Sequence, residues 1–267
     1  MVFNLPKNKR KTATAAGVIG NIIEWYDFAL YGFMASILST LFFPSEDRTS
    51  SLLATYGVFA AGFIMRPLGS VVFGWLGDTI GRSRTMLISV AMMAIPTTML
   101  GLLPTFEMIG VWAPVLLISI RLVQGLSVGG EFSSSVTYLV ETAPKNQRGL
   151  AGSWANVGSM LGMLLGSLMA ALATNLFDEQ ALYSYGWRLP FLFGGLLGIA
   201  AVIMRRDLPS SKHFKRHESE RGYTSPLIQV ITVNRKQTTQ GVLFASGYGV
   251  LFYIVLVYLP NWLHEYR

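Results

Sequence analysis

An all-α, polytopic membrane fold is specified by three features of this 267-residue chain: its composition, the spacing of its apolar runs and the placement of its basic residues. Apolar residues fill 52% of positions and charged residues 13%, about half the roughly 25% carried by a soluble domain. So few charges cannot cover a water-facing surface, and lipid is the simplest alternative solvent. The mean hydropathy of +0.46 agrees. With no cysteine, disulfides and thiolate metal sites are excluded. A net charge of +7 would suggest a nucleic-acid partner in a soluble protein. Here the basic residues lie between apolar runs, as in cytoplasmic membrane loops, so no nucleic-acid partner is expected.

A bilayer core is crossed by roughly 20 mainly apolar residues. Seven runs qualify: 13–41, 52–73, 85–103, 110–139, 149–176, 187–204 and 241–263. Lys7, Lys9, Arg10 and Lys11 precede the first run, but its length and its Glu24 and Asp27 mark a retained helix, not a signal peptide. The organisation expected is a cytoplasmic N-terminus (1–12), a six-helix bundle (13–204), a basic central loop (205–239) broken by Pro209 and Pro226, and a seventh helix with an extracytoplasmic end (240–267). On that threading sixteen basic residues, Arg205 among them, fall on one side. Only Arg48, Arg188 and Arg267 fall on the other. The positive-inside rule then puts the N-terminus in the cytoplasm. His213 and His217 have metal-like spacing, but Lys212, Lys215 and Arg216 beside them repel a cation, so neither metal nor cofactor is expected.

Ionisable groups inside spans cost about 2.5–3.5 kcal/mol each on insertion scales and mark function. The first span holds Glu24 and Asp27, the second Arg66, and the fourth Arg121 and Glu131. On the first helix Gly17, Gly20, Asn21, Glu24, Asp27 and Tyr31 fall within about one third of the circumference. Arg121, Gln124, Ser127, Glu131, Ser135 and Tyr138 do the same on the fourth. Two polar stripes imply a shared interior or a water-filled cavity. Asp27, Arg66 and Arg121 share a level roughly 16–21 Å from the outer helix ends, so they are expected to pair. Glu24 lies one turn inward, and Glu131 nearer the cytoplasmic edge belongs to a different network.

Gly74-Trp75-Leu76-Gly77-Asp78-Thr79-Ile80-Gly81-Arg82-Ser83-Arg84, between the second and third runs, resembles the loop signature of the major facilitator superfamily. Gly74, Asp78, Gly81 and Arg82 match it, Thr79 and Ser83 depart, and Arg84 supplies a basic residue nearby. Arg121-Leu122-Val123-Gln124-Gly125 looks like the superfamily's fourth-helix motif. Gly20-Asn21-Ile22-Ile23-Glu24-Trp25-Tyr26-Asp27-Phe28, Arg66-Pro67-Leu68-Gly69, Gly129-Gly130-Glu131 and Gly186-Trp187-Arg188-Leu189-Pro190-Phe191 are similar to the metabolite:proton symporter family, closest to its proline/betaine branch. The fifth run repeats small residues at Gly158, Gly162, Gly166 and Ala170, which lets membrane helices pack closely.

The resemblance implies a secondary transporter, not an enzyme, in a bacterial cytoplasmic (inner) membrane. It implies proton symport of a small organic acid or zwitterionic osmolyte such as proline, betaine or a dicarboxylate. Proton coupling falls to Glu24, Asp27, Arg121 and Glu131. The substrate cavity falls to Asn21, Trp25, Tyr31, Arg66 and Gln124. Conformational control falls to Gly74, Asp78, Gly81, Arg82 and Arg84. The expected partners are substrate, protons, lipid and a second transporter half. Members of the superfamily have two six-helix halves rocking about a central site, and this sequence covers the first half plus one helix, so it reads as truncated. Alone it is expected to show no coupled uptake, and without self-association or a second half the exposed face of its first and fourth spans would put charges against lipid. The alternatives are an inactive or interacting remnant, or a seven-helix receptor, which the charge asymmetry opposes.

Overall fold

A computed structural model of the chain describes residues 7–206 and 234–253, and every regular element among them is helical. The chain divides into two units, 1–220 and 221–267. The first contains α1 (Lys7–Phe33), α2 (Ala35–Phe42), α3 (Arg48–Ile80), α4 (Arg82–Leu102), α5 (Phe106–Ile109), α6 (Trp112–Thr142), α7 (Arg148–Leu176), α8 (Glu179–Ala181) and α9 (Arg188–Arg206). A π-helical turn, Leu182–Gly186, leads into α9. The second unit contains α10 (Arg235–Tyr253). The last ten residues of the seventh apolar run, His213, His217 and most of the central loop lie outside the described residues.

Five described helices, counting the turns that lead into α7 and α9, are long and apolar enough to cross a membrane. They carry the second to sixth apolar runs. α1 is not among them, because Asn21, Glu24 and Asp27 interrupt its apolar stretch. The first run divides at Met34, where Ile37 N–H tightens onto Met34 O at 3.0 Å before α2 continues.

The helices outrun their apolar stretches where local chemistry permits. Asp47 caps α3 by accepting from the N–H groups of Thr49 (3.1 Å) and Ser50 (3.0 Å). Gly81, at φ 93°, ends α3 and starts α4 within one residue, a backbone conformation that favours glycine. The expected 74–84 loop is therefore two helix ends and one turn residue. Hydropathy does not register those polar end turns, which is why the second run was placed at 52–73.

Three helix pairs make the bundle, each seated on small residues. A Cβ on Gly158, Gly162 or Gly166 of α7 would lie 2.7, 2.3 or 2.7 Å from the carbonyl oxygens of Val18, Ile22 and Tyr26 in α1. In the α3–α6 pair, a Cβ on Gly69 would lie 1.9 Å from Leu126 O, and one on Gly125 2.1 Å from Gly62 O. In the α4–α9 pair, Gly198 meets Ala94 in the same way, at 2.3 Å from its Cβ. Lipid supplies no hydrophobic drive between helices, so such backbone approach and its dispersion contacts hold the pairs. The radial polarity is that of a membrane protein. Leu53, Ile64, Leu164 and Leu196 are exposed while Asn21, Asp27, Arg121 and Glu131 are buried.

Candidate functional site: two buried charge networks

The sequence-predicted stripes of α1 and α6 face each other and close into two polar networks, one per level of the bundle. The first centres on Asp27. Arg121 donates from Nη1 to Asp27 Oδ2 at 2.6 Å and to Gln124 Oε1 at 2.9 Å. Gln124 Nε2 donates to Asp27 Oδ1 at 3.0 Å, and the Thr97 hydroxyl of α4 reaches the same oxygen at 3.0 Å. The Arg121 guanidinium lies 3.7 Å above the Tyr31 ring, whose hydroxyl donates to Thr55 O of α3 at 3.2 Å. Asp27 and Arg121 are each 2% exposed. Arg121 Nε and Nη2 have no hydrogen-bond partner among the described residues, so the guanidinium keeps donor capacity.

The second network centres on Glu131. Arg205 of α9 grips it in a fork, Nη2 to Oε1 at 2.5 Å and Nη1 to Oε2 at 2.9 Å. Arg205 also donates to Ala16 O of α1 and Met86 O of α4, both at 2.8 Å. The Ser89 hydroxyl donates to Glu131 Oε2. Both charged side chains are 0% exposed. Such a planar fork satisfies a carboxylate best where the geometry is fixed. Gly20 makes the room, since a Cβ there would sit 2.0 Å from Arg205 Nη2 and from Glu131 Oε1.

Arg205 corrects the charge count made from sequence, which placed it in a solvated loop. It sits in the last turn of α9, one turn past Ala201 and two past Gly198, on the face packed into the bundle. That small-residue register was its available signal. Thr97 and Ser89 were also missed, as single hydroxyls in an apolar run.

Other expected residues divide by accessibility. Glu24 is buried, with Oε2 lacking a hydrogen-bond partner among the described residues, and Arg66, Glu131 and Arg205 are the charges acting on it. Asn21 donates from Nδ2 to Ser135 Oγ at 2.8 Å and to Gly17 O at 3.0 Å. Asn21, Tyr31 and Gln124 are enclosed, whereas Trp25 and Arg66 are half-buried. Arg66 shares the level of the Asp27–Arg121 ion pair. Its guanidinium stacks over Phe28 at 4.0 Å and Phe63 at 4.3 Å. The charges of α1 and α6 face into the unit, where Asp27 pairs with Arg121 between the two helices and Glu131 pairs with Arg205 of α9.

In the turn motif Arg82 Nη2 pairs with Asp78 Oδ1 at 2.7 Å. The glycine that makes room for this pair is Gly77, where a Cβ would lie 2.3 Å from Arg82 Nη1. Gly74 has nothing within 4 Å, so no close approach in the described structure requires it, and Arg84 is exposed.

The family model described as "Sugar (and other) transporter" matches residues 13–237. A glycine betaine/proline/ectoine/pipecolic acid transporter of Dickeya dadantii is 36% identical over 264 residues, covering 95% of this chain and 52% of the relative. The proline/betaine transporter of Escherichia coli is 36% identical over 95% of this chain and 53% of its own length. An alpha-ketoglutarate permease of Escherichia coli is 38% identical over 96% of this chain and 58% of its own length. The chain thus spans about half the length of the curated relatives it matches. Among solved structures, the proton:xylose symporter XylE superposes with a TM-score of 0.72 at 18% identity, over 90% of this chain and 53% of that one. An inward-open form of the E. coli xylose transporter superposes with a TM-score of 0.69 at 19% identity, over 89% of this chain and 55% of that one. These likenesses show the fold. With the match over most of its length, the chain belongs to the sugar (and other) transporter family, a family of transporters and not of enzymes.

Proposed function

We propose that this chain forms the proton-binding half of a secondary transporter that carries a small organic acid or zwitterionic osmolyte together with a proton. The observation that carries the reading is the buried Asp27–Arg121 pair, held by Gln124 and Thr97. A carboxylate beside a guanidinium in low dielectric gains or loses a proton according to whether the guanidinium stays engaged. Arg121 retains donors able to turn to a substrate carboxylate. Asp27 and Glu24 exchange the proton, Arg121 and Glu131 organise charge, and Trp25 and Arg66 contact substrate. Asn21, Tyr31 and Gln124 shape the cavity wall from behind. Asp78, Gly81, Arg82 and Arg84, with Gly74, act at the turn that steadies one conformation. The relatives' names point to proline, betaine or alpha-ketoglutarate as substrates. The membrane is the bacterial inner membrane, with the N-terminus in the cytoplasm, and the further partner is a second six-helix half.

The test uses membrane vesicles from cells that produce the chain, with labelled proline, glycine betaine and alpha-ketoglutarate and simultaneous recording of proton uptake. Asp27→Asn is expected to abolish proton movement with substrate, and Glu24→Gln to reduce it. Unchanged coupling in both variants ends the proposal. Purified chain alone is expected to bind substrate without accumulating it, and proton-driven accumulation by that preparation would refute the need for a second half.

A further inference from the structure

We infer that Phe28 and Phe63, braced by Phe59, form a receptor for the ammonium head of a zwitterionic substrate, at the place where the Arg66 guanidinium lies. The inference rests on the substrate-contacting reading of Arg66 and adds to it a ligand chemistry and the residues that select it.

The three rings meet edge to face, with centroids 5.6 Å (Phe28–Phe59), 5.0 Å (Phe28–Phe63) and 5.1 Å (Phe59–Phe63) apart. Phe59 braces the other two rings, and the π faces of Phe28 and Phe63 form a corner whose quadrupoles attract a cation. A cation is already there, since Arg66 Cζ lies 4.0 Å from the Phe28 centroid and 4.3 Å from that of Phe63. Phe28 is buried and fixed. Phe63 is 37% exposed and Arg66 half-buried, so the corner is open on one side.

The open side does not face acyl chains. Arg66 lies near the middle of the 33-residue α3, and a guanidinium at bilayer mid-depth against lipid is costly. Its half-exposed position therefore marks the wall of a polar crevice. The ligand class follows from the chemistry of the corner. A quaternary ammonium has no N–H to donate and is desolvated best by π faces. A carboxylate gains nothing from those faces but pairs bidentately with a guanidinium. A zwitterion carrying both groups displaces Arg66 from the rings and then takes its guanidinium as carboxylate partner. A dianion has no group for the corner. Phe59 also stacks on Tyr31, with centroids 5.6 Å apart, and Tyr31 carries Arg121 above its ring at 3.7 Å. An occupied corner is thus one aromatic layer from the Asp27–Arg121 pair.

The experiment uses the purified chain in lipid nanodiscs at fixed pH, with calorimetric titration of tetramethylammonium, glycine betaine and acetate. Tetramethylammonium is expected to bind and to compete with glycine betaine. Phe63→Leu, at an exposed position, is expected to weaken both by about tenfold, with helical content by circular dichroism unchanged. Phe63→Tyr keeps the π face and restores binding, and acetate affinity does not fall in either variant. No tetramethylammonium binding to the folded chain, or equal affinities for wild type and Phe63→Leu, overturns the inference. No gradient is applied, so a failure of proton coupling leaves the result readable.

Discussion

Arg205→Met removes the guanidinium from the inner network and leaves the Glu131 carboxylate buried, at 0% exposure, with the Ser89 hydroxyl as its one remaining partner from that network. Breaking a buried ion pair from one side typically costs about 3–5 kcal/mol, because the surviving charge keeps its desolvation penalty. Two further bonds go, from Arg205 to Ala16 O and Met86 O. Both acceptors are helix carbonyls, so the added loss is small. In Glu131→Leu/Arg205→Met both charges are gone, and the Ser89 hydroxyl can turn fully to Met86 O, 3.1 Å away. Replacing a buried pair by well-packed apolar residues is often neutral or stabilising by about 1–4 kcal/mol. The double variant should therefore be more stable than Arg205→Met alone, with a coupling energy on the order of 2–4 kcal/mol. The assay is reversible unfolding of the lipid- or detergent-embedded chain by denaturing surfactant, followed by circular dichroism. Additive destabilisation across the cycle would falsify the assignment of Arg205 to this network.

The glycine contacts make position-specific predictions by the same unfolding assay. Gly69→Ala and Gly162→Ala, whose Cβ atoms would lie 1.9 and 2.3 Å from backbone carbonyl oxygens, should each cost roughly 1–3 kcal/mol by forcing helices apart. Gly74→Ala, inside α3 with nothing within 4 Å, should not destabilise and should gain up to about 1 kcal/mol. A loss at Gly74 equal to that at Gly69 would show that these clearances do not govern packing. At the start of α3, the Ser50 hydroxyl and the N–H groups of Thr49 and Ser50 hold the Asp47 carboxyl below its usual range. Because the folded value is depressed, the cap's contribution is complete above the ordinary carboxylate pKa and fades as pH falls through the lowered one. Amide chemical shifts of Thr49 and Ser50 should follow that acid titration in wild type and lose it in Asp47→Asn. Arg188→Gln removes the donor to Gly101 O and Leu103 O at the end of α4. Amide hydrogen exchange should accelerate in that last turn and not in α6, and uniform acceleration would point to global loosening instead.

The positions of the helices were legible because apolar run length is nearly the whole signal that a bilayer demands. Their ends were not, because Asp47 capping and the positive φ of Gly81 act through single residues that hydropathy averages away. The meeting of Asp27 with Arg121 was legible because helical periodicity puts both on polar stripes, and a charge inside a membrane needs a partner. Equal depth fixes a level along the bundle axis but not a direction around each helix, so the placement of the Arg66 guanidinium over Phe28 and Phe63 was not legible. Arg205 was hidden for another reason. A basic residue at the end of a span is usually solvated, so a charge count treats it as topology. Only the register Gly198, Ala201, Arg205 against α4 and α1 distinguishes it.

Separation of the two networks has a mechanical consequence. α1 and α6 contribute to both, but the first is completed by α4 through Thr97, the second by α9 through Arg205. Glu131, enclosed among the described residues, is gripped by an arginine that also holds α1 and α4. Its network is suited to keeping four helices in register. Asp27 shares its carboxylate with neutral Gln124 and Thr97, and its arginine still has donors to give. Disengaging Arg121 from Asp27 would leave the inner fork intact. On the proposed function, a unit built this way would change protonation at the Asp27 level while the Glu131–Arg205 fork keeps its helices in register.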